Sequence, residues 1–203
     1  MKLLIGLSGK ARSGKDTVGN FLKEYFKKNY RLDIITTAYA DTLKSKVMAD
    51  FDLSFNQVYG DQKEVLDHRY TKGQTYWTPR QIMQEYGQFF RTIEHDFWVR
   101  KLFENIEETG YDGVIVTDIR HKNEIDAIVE RDGFHIRIER PDFDNKLSNT
   151  QHVSETALDN GDYVTHYNIR NDGSLEDLFS KAQSVVNDII TQVGKKYRLS
   201  AIE

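Results

Sequence analysis

Gly9-Lys10-Ala11-Arg12-Ser13-Gly14-Lys15-Asp16-Thr17 is a glycine-framed loop ending in Gly-Lys, and its reading decides the fold. It fits G-x-x-x-x-G-K, with Asp16 where a hydroxyl usually follows the lysine and Thr17 one place on. Ahead of it, Leu3-Leu4-Ile5-Gly6-Leu7 is an apolar run of strand length. Behind it, Val18, Phe21, Leu22, Tyr25 and Phe26 recur at helical spacing. The N–H groups of such a loop, at the N-terminus of a helix, form a concave anion site, and the lysine reaches the outer phosphates. The pattern predicts that Gly9, Arg12, Ser13, Gly14, Lys15, Asp16 and Thr17 hold a nucleoside triphosphate. Magnesium would sit on the Asp16 carboxylate, directly or through water, or on the Thr17 hydroxyl; the sequence does not choose between them.

Composition narrows the rest. A chain of 203 residues suits one domain with an inserted region and buries a core without staples. The net charge of -4 gives no basic excess to attract nucleic acid. The absence of cysteine removes disulfides, thiolate zinc sites and a cysteine nucleophile together. No apolar run approaches the roughly 20 residues that cross a bilayer, so a cytoplasmic protein free of membrane is expected. The six histidines show no zinc spacing.

Strands are predicted at Leu3–Leu7, Ile34–Thr37, Gly113–Thr117, Phe134–Ile138 and Tyr163–Ile169, with helical patterns between them. That alternation argues for an α/β fold with a parallel sheet covered on both faces. The first and third strands, nearly pure aliphatic, are expected at the centre; the last two alternate with polar residues and are expected towards an edge. Ser174-Leu175-Glu176-Asp177 resembles a capping box ahead of the stripe Leu178, Phe179, Ala182, Val185, Val186, Ile189 and Ile190. Lys195-Lys196-Tyr197-Arg198 then reads as a solvated tail.

About 75 residues separate the second and third strands, too many for a plain crossover. Within them Thr78-Pro79-Arg80-Gln81 opens a helix, with threonine as N-cap and proline in the first turn. An apolar stripe from Ile82 through Met83, Tyr86, Phe90, Ile93, Phe97, Trp98 and Leu102 runs through one or two helices. Asp52 to Tyr76 has no clean period and reads as a flexible flap.

Val114-Ile115-Val116-Thr117-Asp118 is an apolar strand ending in a carboxylate. The C-terminal edge of such a sheet carries the site, so Asp118 and Arg120 are expected at the mouth of the cleft. The plainer reading makes Asp118 a helix N-cap paired with Arg120. Phosphoryl transfer asks for positioning and charge neutralisation, for which Lys44, Arg80, Arg91, Arg120 and Arg140 are the candidate cations.

Several further stretches carry a resemblance. Thr78–Gly87, Asp96-Phe97-Trp98-Val99, Asp118-Ile119-Arg120 with Glu124, Arg140-Pro141, His152-Val153-Ser154-Glu155 and Asn171-Asp172-Gly173-Ser174 follow the glycine loop in order. This series resembles the deoxynucleoside monophosphate kinases of tailed bacteriophages, from Leu3 to about Val193. The resemblance implies a three-layer P-loop NTPase fold with a five-stranded parallel sheet and an inserted helical acceptor region. The expected division is a core of about 1–50 and 111–193, an insert of about 51–110 and a lid of about 140–158. It implies transfer of the ATP γ-phosphate, with magnesium, to a deoxynucleoside monophosphate. Lys15, Asp118, Arg120 and Arg140 would be catalytic. Asp41, Lys44, Arg80 and Arg91 would meet the acceptor, with Gln84, Trp98 and Glu155 beside it. Asn171 and Gly173 would lie by adenine.

Other readings stay open at this stage. Trp98 on an apolar stripe suits a core as well as a base platform, and Ser154 suits a helix cap. A kinase for another phosphorylated metabolite, of phosphomevalonate or dephospho-coenzyme A type, shares the loop. A guanine-nucleotide switch lacks its base-reading motif, because Asn145-Lys146-Leu147-Ser148 ends in serine. Apolar residues in the insert would suit a homodimer face.

Overall fold

The structure, a computed structural model, describes residues 3–107, 110–141, 158 and 161–200, the last six by their backbone. The chain divides into two compact units, residues 1–37 with 109–203, and residues 38–108.

The first unit is built on five parallel strands: β1 (Leu3–Ser8), β2 (Ile34–Thr37), β5 (Gly113–Ile119), β6 (Phe134–Glu139) and β7 (Tyr167–Arg170). Their order across the sheet is β2-β5-β1-β6-β7. The aliphatic strands β1 and β5 are therefore internal, as their unbroken apolar runs require. β7 is the edge, shorter than the predicted Tyr163–Ile169. One face of the sheet packs on α1 (Lys15–Tyr30) and α7 (Leu175–Ser200). Ile5, Leu7, Val18, Leu22, Phe26, Ile136, Ile138, Leu178, Ala182, Val186 and Ile189 form that core. The opposite face meets α6 (Lys122–Val129), whose Ile128 packs against Gly6 of β1. Helix, sheet and helix make the three layers expected.

The cap of α7 forms as its sequence predicts. Ser174 Oγ accepts from the Asp177 N–H at 3.2 Å, and Asp177 Oδ2 accepts from the Ser174 N–H at 3.0 Å. Lys195–Arg198, expected as a tail, instead continue α7. No proline or glycine after Gly194 interrupts the helical run.

The second unit holds α2 (Tyr39–Asp50), α3 (Phe55–Val58), a 3-10 turn (Asp61–Glu64), the antiparallel hairpin β3 (Asp67–Lys72) and β4 (Thr75–Trp77), α4 (Pro79–Ile93) and α5 (Phe97–Glu107). α2 belongs with these helices, whereas the sequence grouping placed residues up to 50 with the sheet. Its core is Leu43, Val47, Leu53, Val58, Ile82 and Trp98. Thr78 caps α4 as predicted, its Oγ1 accepting from the Gln81 N–H. Ile93, expected on the buried stripe, is 68% exposed at the last turn of α4.

The expected flap is structured. Buried Asp67 accepts from Arg69 Nε and Nη2 at 2.9 and 2.7 Å and from Gln57 Nε2 at 2.9 Å. These hydrogen bonds, those of Arg69 foremost, hold the Asp67 carboxyl down at about 2. The Tyr70 hydroxyl donates to the Phe51 carbonyl at 2.7 Å. No described helix is long and apolar enough to cross a membrane.

Candidate active site

β1 ends at Ser8, and the glycine loop fills the gap before α1 begins at Lys15. Gly9 has φ 145° and Gly14 has φ 104°, values that side chains rarely tolerate. A Cβ on Gly9 would run into the Ile138 carbonyl, and one on Gly14 would sit 2.9 Å from Asn171 Nδ2. Arg12 also takes a left-handed conformation, φ 63°. The loop therefore needs its glycines for both dihedral and space.

Three side chains grip it. Lys15 Nζ turns back over the loop and donates to the Gly9 and Lys10 carbonyls at 2.5 and 2.8 Å. Asn171, at the end of β7, donates from Nδ2 to the Ser13 carbonyl at 2.9 Å, and its own N–H bonds the Glu139 carbonyl at 2.7 Å. Arg140, at the end of β6, reaches the Arg12 carbonyl at 3.5 Å. Ser13 is buried, and its hydroxyl finds no hydrogen-bond partner among the described residues. Asp16 and Thr17 lie exposed in the first turn of α1. An oxygen ligand set for a nucleotide-borne magnesium thus fits either residue. The described residues hold no cluster of three or more His, Cys, Asp or Glu to bind a metal on their own.

Asp118 is the penultimate residue of β5, half-buried, and Arg120 follows the strand. The register sets Ser8 opposite Ile119, so both come to the same edge of the sheet as the loop. Asp118 is not the cap of α6. His121 is the N-cap, and Glu124 in the first turn, 3% exposed, supplies the capping carboxylate, its Oε2 accepting from the N–H groups of Arg120 and His121 at 2.8 and 3.0 Å. A carboxylate at this position suits the positive end of α6. Gly173 lies exposed in the turn ahead of α7.

A buried polar network underlies the loop. His135 on β6 is fully buried; its Nε2 lies 2.7 Å from Ser8 Oγ and its Nδ1 lies 2.7 Å from the Val164 carbonyl. The carbonyl can only accept, so Nδ1 carries the proton and Nε2 accepts from the serine. Burial pushes its pKa down to about 4, against the raising effect of the Val164 carbonyl. His135 is one of the polar residues that alternate along β6, and nothing local reveals Ser8 as its partner.

The second unit carries the expected acceptor residues. Asp41 Oδ2 accepts from the Ala38 N–H at 2.9 Å, capping α2, while Oδ1 lies 3.9 Å from Lys44 Nζ. The Lys44 ammonium sits 4.6 Å from the centre of the Tyr59 ring. The Tyr59 pKa is raised, by burial first and by the Asp41 charge second. Arg80 is ion-paired with Glu64, both exposed. The Arg91 guanidinium lies over Gly87 on the same helix, and Gln84, also on α4, is half-buried. Trp98 takes the core place that its apolar stripe allowed, not the place beside the acceptor that the resemblance implied. It is 2% exposed, its Nε1 donates to the Gly87 carbonyl at 3.1 Å, and its ring is walled by Phe90 and Phe97 at 5.5 and 4.8 Å. Such a ring is core and offers no face to a base. Glu155, with His152 and Ser154 and most of the expected lid, falls outside the described residues.

Comparison with known proteins adds a line of support that does not rest on the loop. A family model described as "Deoxynucleotide monophosphate kinase" matches residues 33–182, a span that begins after the glycine loop has ended. A protein of Acanthamoeba polyphaga mimivirus, provisionally named a deoxynucleotide monophosphate kinase, is 31% identical over 92% of this chain and 97% of its own. The deoxynucleotide monophosphate kinase of Enterobacteria phage T4 is 36% identical over 54% of this chain and 46% of its own. Among solved structures, a dephospho-CoA kinase from Campylobacter jejuni aligns with a TM-score of 0.46 at 16% identity, over 93% of this chain and 97% of its own. With its family model matched over most of its length, the chain belongs to the deoxynucleotide monophosphate kinase family.

Proposed function

We propose that the protein transfers the γ-phosphate of ATP to a deoxynucleoside 5′-monophosphate, yielding ADP and the deoxynucleoside diphosphate. The observation that carries this reading is the grip of Lys15 on the Gly9 and Lys10 carbonyls in a chain of this family. Those carbonyls hold the ammonium over the concavity of the loop until phosphate oxygens replace them. The first N–H groups of α1, which have no helical acceptor, then face the phosphates.

Asp16 or Thr17 would hold magnesium, which when bound neutralises phosphate charge. Arg140 already leans on the loop carbonyl of Arg12, and with Arg120 supplies guanidinium to the phosphoryl group in transit. Asp118 supplies a carboxylate at the same sheet edge, to orient water or a substrate hydroxyl. On the second unit, Lys44, Arg80 and Arg91 are the cations for the acceptor's phosphate, with Asp41 and Gln84 as polar neighbours. Arg80 would exchange Glu64 for that phosphate. Transfer of this kind runs on positioning and electrostatics, so the chain needs no covalent intermediate.

A coupled ADP-release assay over the four deoxynucleoside monophosphates, with dephospho-coenzyme A as the competing acceptor, tests the assignment. Stimulated turnover by at least one deoxynucleotide is expected. Stimulation by dephospho-coenzyme A alone would overturn it.

A further inference from the structure

His135 stands outside every role assigned so far, yet each of its four polar groups is engaged. Its N–H donates to His166 Nδ1 and its carbonyl accepts from the His166 N–H, both at 3.0 Å. Its ring joins the Val164 carbonyl to Ser8 Oγ, as described. Ser8 is itself 1% exposed and is the last residue before the loop. The stretch that His135 holds at Val164–His166 leads directly into β7, whose end places Asn171 on the Ser13 carbonyl. The loop is thus tied at both ends to one segment, at Ser8 through His135 and at Ser13 through Asn171.

We infer that His135 is a positioning residue for the nucleotide site, fixing the start of the phosphate loop through its hydrogen bond from Ser8. Of the ring's two nitrogens, Val164 engages only Nδ1, and His166 bonds the His135 main chain rather than the ring. Nε2 is left to Ser8, and that contact lands on the hinge between strand and loop. Its direction is fixed by the neutral ring. Among the described residues, the titratable or charged groups around the ring are His166 and Tyr163 from the segment before β7, and Arg137, ion-paired with Glu139, from β6. The residues of β1 facing it bring only the Ser8 hydroxyl.

This inference rests on the reading that ATP binds the loop, and its test therefore uses acceptor-free binding of a fluorescent ATP analogue. Ser8→Ala removes the hydroxyl alone. His135→Asn keeps a donor for Val164 but falls short of Ser8, while His135→Gln extends an amide to where Nε2 lies. Ser8→Ala and His135→Asn should each weaken analogue binding about five-fold, the factor that one neutral hydrogen bond carries. The double variant should be no weaker than the poorer single, because both remove one bond. His135→Gln should bind within about two-fold of the wild type. Unchanged affinity in both singles, with only the melting temperature lowered, overturns the inference and leaves His135 a core residue. If His135→Asn does not fold, Ser8→Ala decides alone by the same criterion. A wild type that binds the analogue but phosphorylates no deoxynucleotide sinks the acceptor assignment and leaves this test standing.

Discussion

Trp98→Phe separates the two uses to which a tryptophan on this stripe can be put. The indole is buried in the second unit and donates to the Gly87 carbonyl at 3.1 Å. Phenylalanine removes that hydrogen bond, about 1 kcal/mol. It also withdraws three ring atoms from contact with Phe90 and Phe97, roughly 2 kcal/mol at the usual transfer value for buried carbon. Because Gly87 lies inside α4, its carbonyl keeps a helical partner, so no large penalty for an orphaned acceptor is added. The sum, about 3 kcal/mol, should lower the melting temperature by roughly 6–12 °C for a chain of this size. Differential scanning calorimetry measures that shift, and steady-state kinetics on the same sample should give a KM for the monophosphate within about two-fold of wild type. A KM raised ten-fold with an unmoved melting temperature would refute the placement in the core and restore the ring as a base platform.

Further outcomes follow from the loop and its supports. Lys15→Ala should cut turnover at least a hundred-fold while circular dichroism stays unchanged, since the side chain bonds the Gly9 and Lys10 carbonyls of the loop rather than joining the buried core. Asn171→Ala should weaken ATP binding about five-fold in calorimetry by releasing the Ser13 carbonyl; an unaltered affinity would make that contact incidental. Arg140→Ala should lower kcat by about a hundred-fold or more with a smaller change in KM for ATP, and a KM effect alone would reassign Arg140 to ground-state binding. Acid should destabilise the fold through His135, whose folded pKa of about 4 lies below its ordinary 6.5. The unfolded chain then takes up the proton first, so this contribution is full above about pH 6.5 and is lost as pH falls towards 4. Urea unfolding should show the wild type losing about 2 kcal/mol more than His135→Gln between about pH 7 and 4.5, and equal losses would contradict a neutral buried ring.

Features written into short stretches were legible. The run Leu3–Leu7, the glycine spacing and the stripe behind it are all local, and they fold as β1, the loop and α1. The caps at Thr78 and Ser174 are equally local, each closing within three residues. The hairpin was hidden because its first strand opens with a buried aspartate, which breaks the apolar alternation a strand is read by. Gly73, at φ 63° between Lys72 and Thr75, was the one signal of its turn. Trp98 was ambiguous for a physical reason: a stripe fixes which side of a helix is apolar, not whether a ligand or another helix covers it. The part played by Asn171 was out of reach, since it bonds a carbonyl 158 residues away. So was that of His135, whose serine partner lies 127 residues back.

Those two long contacts bear on how the loop keeps its shape. Gly9, Arg12 and Gly14 all sit at positive φ, and for Arg12 that conformation costs about 1 kcal/mol or more. A loop so bent does not hold itself. Lys15 supplies part of the restraint by bonding the carbonyls of Gly9 and Lys10, and in the proposed reaction it would release them to reach phosphate. The loop would then depend on contacts that the nucleotide does not displace. Asn171 on Ser13 and His135 on Ser8 are of that kind, because both come from β6 and β7 behind the loop. In the proposed reaction, binding would trade one set of partners for Lys15 while the frame stays fixed, which is the condition for electrostatic catalysis without reorganisation at the moment of transfer.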